Sequence, residues 1–485
     1  MNRKKKIPHL QKNALNWVIV SNRLPFILET KEERISLHRA SGGLITALFP
    51  MMNKRGGIWV GNLDRDSEND QVVTSLLEEA KAQYGIQLSP LSLSKKEIDL
   101  YYHGFANEII WPLFHDLVSC CIFTPAYWDI YQSVNQKFAQ TVAAVSKSND
   151  IIWVHDYHLM LVGQELKKIG SYEKIGFFLH IPFPSVDLFS KLPWRNQILQ
   201  ALLKYDLLGF QTFQDRRNFI QCVRQLLEDT VIENKRTLHL CKREHVQTRV
   251  GNFPISIDFN DFSERARAEE TAKSAWLLHE KWQNQKLIFS IDRLDYTKGI
   301  PYRLEAVRTF LQRYGEFHKK ICFVQVIIPS REDIPEYQSL KREIDRLVGE
   351  INSQFTQENW VPIQYIYRSL TDLELLSYYR TSEVMLVTPV KDGMNLISKE
   401  YVACQIEDQG VLILSEFAGS ATQLNDGALL VNPHDIEGIA QALYTALVMP
   451  AEEQSRRLRV MKRTIKRNDL NWWVKSYIQT LLSDE

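Results

Sequence analysis

Short, continuous apolar segments recur along the chain, and they constrain its fold more than any other feature. Each has the length of a β-strand, ends in Gly, Pro, Asp or Ser, and is followed by helical periodicity. Uninterrupted apolar strands are typical of parallel sheets that helices cover on both faces. The alternation therefore predicts a doubly wound α/β fold with right-handed βαβ units. The predicted strands are residues 17–21, 57–61, 151–155, 175–181, 207–212, 287–291, 322–328, 362–366, 384–388, 411–414 and 428–431.

The length of 485 residues is several times that of a usual domain, so we expect two large domains. Residues 252–263 contain Pro254 and lead into a charged helical stretch, and a new series of strands begins at Lys286. This break predicts a domain boundary near residues 257–260. Because doubly wound sheets bind ligands at the carboxyl ends of their strands, the residues after each apolar segment are the first candidates for a functional site.

Charge and composition argue against several classes of partner. The net charge of +1 gives no electrostatic reason to expect nucleic acid or an anionic membrane. No segment has the roughly 20 apolar residues that a transmembrane helix needs, and the basic residues at positions 3–6 are not followed by the apolar stretch of a secretory signal. The six scattered cysteines are typical of reduced thiols and predict a cytoplasmic protein.

In the second half, residues 290–299 place two cations after a predicted strand. Arg293 and Lys298 lie five positions apart in a turn that Gly299 closes. Two fixed cations at a strand end suit a diphosphate, whose negative charge grows as it leaves a sugar. The alternative is a solvated surface loop in which Asp292 and Asp295 pair with the cations.

Residues 387–400 form a second candidate segment. A strand leads through Asp392 and Gly393 into a helix that opens near Asn395. Amide groups at a helix start bind phosphate, and a glycine lets the backbone approach a ligand closely. Asp392 could accept a sugar hydroxyl, and Glu400 could accept the two hydroxyls of a ribose. The alternative is an ordinary glycine turn followed by a helix cap.

The first half of the chain contains weaker candidates for a phosphate-binding site. Arg23 ends the first strand, where it could clamp a phosphate with two hydrogen bonds, or else form a structural ion pair. Gly42 and Gly43 precede a helical stretch and could cradle phosphate, but they lack the spacing of a known phosphate loop.

Asp156 and His180 also follow predicted strands of the first half. Polar groups at such positions are either satisfied core residues or site residues, and their place at the sheet ends favours the second interpretation. His155 and His158 have a spacing that suits zinc, but the sequence offers no third ligand in register. We therefore expect no metal ion.

Taken together, these segments resemble the trehalose-6-phosphate synthase family. The resemblance extends from Val18 to residues 468–472. It rests on ordered motifs: VSNRLP, SGGL, YYHGFANEIIWP, IIWVHDYHL, FFLHIPFP, GFQT, RLDYTKG, PSRED, KDGMNLISKEY and LSEFAGSA.

The resemblance implies a GT-B fold, with two Rossmann-like domains and a deep interdomain cleft. A basic tail at residues 1–16 would precede an acceptor domain at 17–258, to which a crossover helix at 468–485 returns, and residues 259–467 would form the nucleotide-sugar donor domain. The implied reaction moves glucose from a nucleotide sugar, with UDP-glucose as the expected donor, to glucose-6-phosphate. It retains the anomeric configuration and uses no metal and no resident cofactor, so the expected partners are small-molecule substrates.

The resemblance also assigns roles to matched residues. The implied catalytic residues are Arg293, Lys298, His180 and Asp156. Donor contacts are implied for Gly43, His180, Arg293, Lys298, Asp392, Gly393, Met394, Asn395, Leu396 and Glu400, with the backbone of residues 393–396 holding the diphosphate. Acceptor contacts are implied for Arg23, Tyr102 and Arg331 at the phosphate and for Trp111 and Asp156 at the sugar.

The chain departs from the family pattern at two positions. Asn62 stands where the family usually has a Trp that faces the acceptor sugar, and Lys391 stands where Arg is common. The same chemistry on another phosphorylated acceptor, such as glycerol-3-phosphate or a cyclitol phosphate, therefore stays open, as does a non-catalytic sugar-phosphate sensor. The sequence also leaves open the nucleotide base and the oligomeric state, with a homo-oligomer among the options.

Overall fold

A computed structural model of the chain describes residues 16–31, 34–40, 42–63, 71–171, 173–235, 238–243, 245–331 and 334–483. The expected basic tail at 1–16 lies outside the described residues except for Asn16. The chain divides into two compact units. The N-terminal unit comprises the residues up to Phe210, Arg216–Asn252 and the residues from Ile478, and the C-terminal unit comprises Gln211–Asp215 and Phe253–Tyr477. Among the described residues, no helix combines the length and apolar content that crossing a membrane requires.

The N-terminal unit contains a nine-stranded sheet in the order β5-β4-β1-β6-β7-β8-β11-β10-β9, and a separate hairpin of β2 and β3. The first seven strands in this order are parallel, and β10 and β9 add to the edge in antiparallel pairing. The strands are β1 Trp17–Arg23, β2 Phe26–Lys31, β3 Arg34–Arg39, β4 Gly57–Asn62, β5 Ile86–Leu91, β6 Ile151–His155, β7 Lys174–Phe178, β8 Leu207–Phe210, β9 Val231–Asn234, β10 His239–Arg243 and β11 Val246–Asn252.

The helices of the first part of the chain include an unusual π-helix of 13 residues, Ile98–Ile110. Such helices are rare, and π-helical turns are frequently found at functional sites. The α-helices are α1 Gly43–Arg55, α2 Gln71–Tyr84, α3 Lys95–Glu97, α4 Trp111–Phe114, α5 Pro125–Val145, α6 Val162–Lys168, α7 Val186–Phe189, α8 Arg195–Leu202 and α9 Phe213–Leu226.

The C-terminal unit contains a six-stranded, wholly parallel sheet in the order β14-β13-β12-β15-β16-β17. Its strands are β12 Lys286–Arg293, β13 Ile321–Ile328, β14 Ile363–Tyr367, β15 Val384–Val387, β16 Val411–Ser415 and β17 Leu429–Val431. The remaining helices are α10 Phe259–Arg267, α11 Glu269–Lys281, α12 Ile300–Arg313, α13 Pro335–Phe355, α14 Asp372–Thr381, α15 Leu396–Cys404, α16 Ala421–Leu424, α17 Ile436–Leu447, α18 Ala451–Arg467 and α19 Leu470–Leu482.

Two apolar cores cover the opposite faces of the C-terminal sheet. Residues of α12, α13 and α17, such as Phe310 and Leu443, pack with Phe323 on one face. Residues of α14, α15 and α18, such as Tyr379 and Leu458, pack on the other face. Burial on both faces explains why the strand sequences are continuously apolar.

The predicted doubly wound α/β fold with two Rossmann-like units is confirmed. The sequence did not predict β5, β9, β10, β11 or the hairpin of β2 and β3. The hairpin lies outside the main sheet, β5 and β9 are the edges of that sheet, and β5, β9, β10 and β11 contain exposed or partly exposed residues. They therefore lack the uninterrupted apolar segments on which the prediction relied.

Candidate functional site

Each main sheet has a switch point, where the chain order of the strands reverses direction. In the N-terminal sheet this point lies between β1 and β6, and in the C-terminal sheet it lies between β12 and β15. The crevice beyond the carboxyl ends of strands at a switch point is the usual ligand site of this architecture. The predicted site residues divide between these two places. We call Arg23, Tyr102, Trp111, Asp156 and His180 the N-terminal site, and Arg293, Lys298, Arg331, Asp392 and Glu400 the C-terminal site.

Arg23 is held at the end of β1 by a tightly packed turn. The indole N–H of Trp59 donates to the Ser21 hydroxyl at 2.8 Å, and that hydroxyl donates to the Arg23 carbonyl at 2.7 Å. A Cβ at Gly61 would lie 2.6 Å from the Leu24 nitrogen and 2.7 Å from the Arg23 carbonyl carbon, so only glycine fits there. The backbone around Arg23 is therefore fixed while its side chain is exposed.

Tyr102 is presented by the π-helix. The Arg23 guanidinium lies 5.2 Å from the centre of the Tyr102 ring, and that ring stacks on His158 at 5.6 Å with an angle of 11°. The amide of Asn107 donates to the Tyr102 carbonyl at 2.7 Å, and Asn107 in turn accepts from the Tyr157 hydroxyl at 3.1 Å. The structure thus brings together Arg23 and Tyr102, two of the three residues predicted to bind the acceptor phosphate.

Trp111 begins α4 and is only 5% exposed, with its ring 5.7 Å from that of Tyr157. Asp156 follows β6 with φ 76° and ψ 166°, a backbone region that is nearly confined to glycine and costs about 1–3 kcal/mol for other residues. The Asp156 carboxylate accepts the His180 backbone N–H at 3.2 Å. Strain of this kind is a frequent property of functional residues, and here it fixes a carboxylate beside His180.

His180 forms a pair with His155. Nδ1 of His155 lies 3.1 Å from Nε2 of His180. Burial lowers the pKa of His180 to about 3, and burial together with the neighbouring His180 ring lowers the pKa of His155 well below its ordinary value. Both imidazoles are therefore neutral near pH 7.

Gly43 is the first residue of α1 and is exposed. Together with His180 it is a predicted donor contact that lies in the N-terminal unit, whereas the other predicted donor contacts lie in the C-terminal unit.

In the C-terminal unit, Arg293 ends β12 and its side chain is exposed. Within the described residues, both aspartates of the segment have hydrogen-bond partners other than Arg293 and Lys298. Asp292 binds Arg303 at 2.6 Å, and Asp295 accepts from the backbone N–H and the hydroxyl of Thr297, each at 2.9 Å.

Three cations surround Asp295. Although burial alone would raise it, the pKa of Asp295 lies below its ordinary value because Lys298, Arg331 and Arg293 stabilise the carboxylate. Arg331 has φ 52° and donates to the Tyr337 hydroxyl at 2.6 Å. The predicted acceptor-phosphate contacts are therefore split between units, since Arg331 belongs with the cations of the C-terminal unit and Arg23 and Tyr102 do not.

Asp392 connects the two loops of the C-terminal switch point. It accepts from Lys298 Nζ at 2.8 Å and from the Asn395 amide at 3.2 Å. Asn395 has φ 67° and caps α15 by accepting the Ser398 N–H at 3.2 Å. A Cβ at Gly419 would lie 1.9 Å from the Gly393 carbonyl oxygen, so the neighbouring loop packs directly on residues 393–396. These residues, Gly393, Met394, Asn395 and Leu396, lead into the helix start as predicted for an anion site.

Glu400 lies one and a half turns into α15 and is partly buried. Burial raises its pKa to about 7, although the hydrogen bond from the Tyr379 hydroxyl at 2.9 Å favours the charged form. A carboxyl group with this pKa changes its charge within the physiological range.

Arg303 is a residue that our sequence reasoning missed. It is fully buried, and its guanidinium donates to Asp292 and to the Lys298 carbonyl at 3.1 Å. It also donates to the Thr388 hydroxyl at 3.0 Å, so it joins the ends of β12 and β15 to the loop that carries Lys298. The signal was present in the sequence, because Arg303 occupies the apolar stripe of α12, three residues after Ile300 and four before Val307.

Within the part of the chain that the structure describes, no three His, Cys, Asp or Glu side chains are grouped so that they could hold a metal ion. The C-terminal site combines side-chain cations with a helix start, and the N-terminal site combines one cation with aromatic rings.

Comparison with known proteins gives consistent matches over the whole chain. The sequence model of Glycosyltransferase family 20 matches residues 15–483. The chain is 37% identical to the trehalose-6-phosphate synthase of Mycolicibacterium vanbaalenii, over 99% of this chain and 98% of that protein. It is 38% identical to the bifunctional trehalose-6-phosphate synthase/phosphatase of Thermoproteus tenax over 97% of this chain, but it spans only 64% of the length of that relative.

A solved structure is similar as well. It is an alpha,alpha-trehalose-phosphate synthase (UDP-forming) from Burkholderia xenovorans in complex with glucose-6-phosphate. The two chains are 33% identical with a TM-score of 0.86, and the match covers 96% of this chain and 100% of the other.

Proposed function

This chain belongs to glycosyltransferase family 20, and from that premise we propose that it transfers glucose from UDP-glucose to glucose-6-phosphate, giving trehalose-6-phosphate and UDP. Its fold is the two-unit GT-B fold, as the Burkholderia xenovorans structure indicates. The observation that carries the proposal is the presence in one chain of a cation-rich site and an aromatic site, each at the switch point of its own sheet.

We assign the nucleotide sugar to the C-terminal site. Arg293 and Lys298 would neutralise the diphosphate, and the amides at the start of α15 would bind its oxygens. Glu400 would accept the ribose hydroxyls, and Asp392 would accept a hydroxyl of the glucose. Lys298 is already fixed by Asp392 at 2.8 Å, so it loses little freedom when it binds a donor.

We assign the acceptor mainly to the N-terminal site. Arg23 and Tyr102 would bind the phosphate, with Arg331 of the C-terminal unit as a third contact. Trp111 and Asp156 would bind the sugar, and His180 and Gly43 would contact the donor. A charged hydrogen bond of this kind contributes about 1.5–3 kcal/mol, enough to select a phosphorylated over an unphosphorylated sugar.

The proposed chemistry places the charge stabilisation on the leaving group. The UDP diphosphate gains negative charge as the bond to glucose breaks, and preorganised cations stabilise that charge without reorganising. The acceptor hydroxyl would attack from the face that the diphosphate leaves, and its proton would pass to a departing phosphate oxygen, which retains the configuration. No pair of carboxylates of the glycosidase type is required.

The test is a matrix of donors and acceptors measured with the purified full-length chain in EDTA. UDP-, GDP- and ADP-glucose are each combined with glucose-6-phosphate, glycerol-3-phosphate, a cyclitol phosphate and free glucose. We expect UDP release with UDP-glucose and glucose-6-phosphate, an α,α-linked product by NMR, and no loss of rate in EDTA. Absence of nucleotide release with every pair, despite ligand binding, would replace the transferase proposal with a sensor.

A second candidate keeps the chemistry and changes the acceptor. Asn62, where the family usually has Trp, is only 6% exposed and pairs in register with Arg23 at the end of β4. A smaller polar side chain beside the acceptor-phosphate residue alters the wall of that site. A preference for glycerol-3-phosphate or a cyclitol phosphate in the matrix would select this candidate.

We also propose a cytoplasmic location. All six cysteines are free, and four of them are buried, which supports a reducing compartment.

A further inference from the structure

The histidine pair of the N-terminal site permits only two arrangements of its protons. Nδ1 of His155 and Nε2 of His180 are 3.1 Å apart, so one nitrogen donates and the other accepts. Both rings are neutral near pH 7, because burial disfavours the charged forms, and each ring therefore carries one proton. If His180 donated, the single proton of His155 would have to sit on Nε2.

The surroundings of His155 distinguish the two arrangements. His155 is fully buried, and its Nε2 has no hydrogen-bond partner among the described residues. A proton on that nitrogen would be a buried N–H without an acceptor, which is rare in proteins and costs about 1–3 kcal/mol. A lone pair at the same position is tolerated more often. The proton of His155 therefore belongs on Nδ1, within the pair.

We infer that His155 is a positioning residue, which donates its Nδ1–H to Nε2 of His180 and thereby fixes His180 in the tautomer that carries its proton on Nδ1. The backbone N–H of His180 is bound at the same time by Asp156 at 3.2 Å, so both the ring and the main chain of His180 are held.

This tautomer determines what His180 can do in the reaction. Its Nε2 is occupied as an acceptor and its Nδ1 carries the proton, so the ring has no basic nitrogen left. Such a ring does not take a proton from the acceptor hydroxyl. The inference rests on the proposed function and deepens it, since it excludes His180 as the general base and leaves it the role of a hexose contact.

The direct test needs no substrate. The full-length chain is labelled with ¹⁵N-histidine, and long-range ¹H–¹⁵N correlations identify which ring nitrogen carries the proton. Signals of His155 and His180 are assigned from their loss in His155→Asn and His180→Asn. We expect a protonated Nδ1 and an unprotonated Nε2 on His180. A protonated Nε2 on His180, or a doubly protonated ring, would overturn the inference, whatever the enzyme's substrates are.

Matched substitutions test the consequence for catalysis. The amide nitrogen of Asn occupies nearly the position of His Nδ1 and also donates, whereas Gln places its nitrogen near Nε2 and Phe donates nothing. We expect His155→Asn to keep at least about a third of the kcat, and His155→Gln and His155→Phe to lose about tenfold, the equivalent of one hydrogen bond.

Thermal unfolding of the three variants separates positioning from packing. Losses of kcat that follow the order of the unfolding temperatures, with His155→Asn no more active than the other two variants, would show that His155 only fills space and would contradict the positioning role. If the wild-type chain has no transferase activity, the proposed function fails, while the NMR result still decides the tautomer.

Discussion

The two switch-point sites occupy equivalent places in their sheets but differ in chemistry. The C-terminal site gathers Lys298, Arg331 and Arg293 around the buried carboxylate of Asp295. The N-terminal site has one exposed cation, Arg23, against the Tyr102 ring, and a neutral histidine pair. The topology therefore fixes where a ligand binds, whereas the side chains at the strand ends decide which ligand it is. A diphosphate that gains charge suits the first set, and a sugar with a single phosphate suits the second.

The two sites also differ in what supports them. In the C-terminal unit, one buried side chain, Arg303, forms hydrogen bonds at the ends of β12 and β15 and with the loop that carries Lys298. In the N-terminal unit, support comes from stacked rings and from the π-helix that carries Tyr102. Loss of Arg303 should consequently disturb one site as a whole, and changes in the aromatic site should have smaller and more local effects.

The largest expected effect follows removal of a C-terminal cation. Arg293→Ala and Lys298→Ala should each slow transfer by more than about 100-fold, since each removes a preorganised partner of the developing charge. Initial rates of UDP release at saturating substrates measure this effect. Arg308→Ala is the control, because Arg308 pairs with Glu350 on the surface. Rates near wild type in both active-site variants would remove the charge-stabilising role.

Arg303→Met should be strongly destabilising. Removing one partner of a buried ion pair costs about 3–5 kcal/mol and frees the Lys298 loop. We expect KM for UDP-glucose to rise about tenfold or more, while KM for the acceptor changes little.

Phe310→Ala is a matched control for that variant. Phe310 is on the same helix and fully buried, and its truncation costs about 3–5 kcal/mol without touching the loop. Urea unfolding measures the free energy of unfolding of Arg303→Met and Phe310→Ala, which we expect to be lowered by similar amounts. An equal rise of donor KM in both would mean that Arg303 acts only through stability.

Arg23→Ala should raise KM for glucose-6-phosphate about tenfold or more and leave KM for UDP-glucose nearly unchanged, because one charged hydrogen bond to the phosphate is lost. Tyr102→Phe keeps the ring that faces Arg23 and His158, so it separates the hydroxyl contribution from the stacking. If Arg23→Ala raised the KM for UDP-glucose as much as the KM for glucose-6-phosphate, the two sites would not differ in the substrate that they bind.

Asp156 tests whether the N-terminal site stores strain. Asp156→Gly and Asp156→Ala both remove the carboxylate, but only glycine adopts φ 76° and ψ 166° easily. We expect the glycine variant to be more stable than the alanine variant by up to about 3 kcal/mol, with activity lost in both. Denaturant unfolding provides the comparison, and equal stabilities would argue against strain at this residue.

The smallest expected effect concerns Glu400 and pH. Its pKa of about 7 means that the carboxyl is mostly protonated at pH 6 and mostly ionised at pH 8. In the proposed site the ionised form would accept two ribose hydroxyls, so UDP-glucose should bind about three- to tenfold more tightly at pH 8 than at pH 6. Calorimetry of wild type and Glu400→Gln checks this, since the variant should show a flat profile. Identical profiles would mean that Glu400 does not contact the ribose.

The sequence predicted those features of the sites that depend on residues close together in the chain. Arg293 and Lys298 lie beside a strand and a glycine, so their position at a strand end follows from the apolar segment before them. Arg303 was detectable as a charge in an apolar stripe, but two of its partners, Gln325 and Thr388, lie 22 and 85 positions away in the chain. Long-range partners of this kind leave no trace in sequence spacing.

The N-terminal site was harder to predict. The sequence analysis did not identify the π-helix, and two of its residues, Tyr101 and Asn107, form hydrogen bonds with distant segments. The contact between His155 and His180 likewise requires the pairing of β6 with β7. The strands β9 and β10, at one end of the main sheet, were missed because partial exposure removes the continuous apolar pattern.

The most direct test of the contrast between the sites is calorimetric titration of UDP into the wild-type chain, Lys298→Ala and Arg23→Ala. If the cation-rich site binds the diphosphate, the Kd of UDP rises at least about tenfold in Lys298→Ala and stays within about twofold of wild type in Arg23→Ala. Equal weakening in the two variants, or weakening in Arg23→Ala alone, would contradict the assignment of the nucleotide to the C-terminal site.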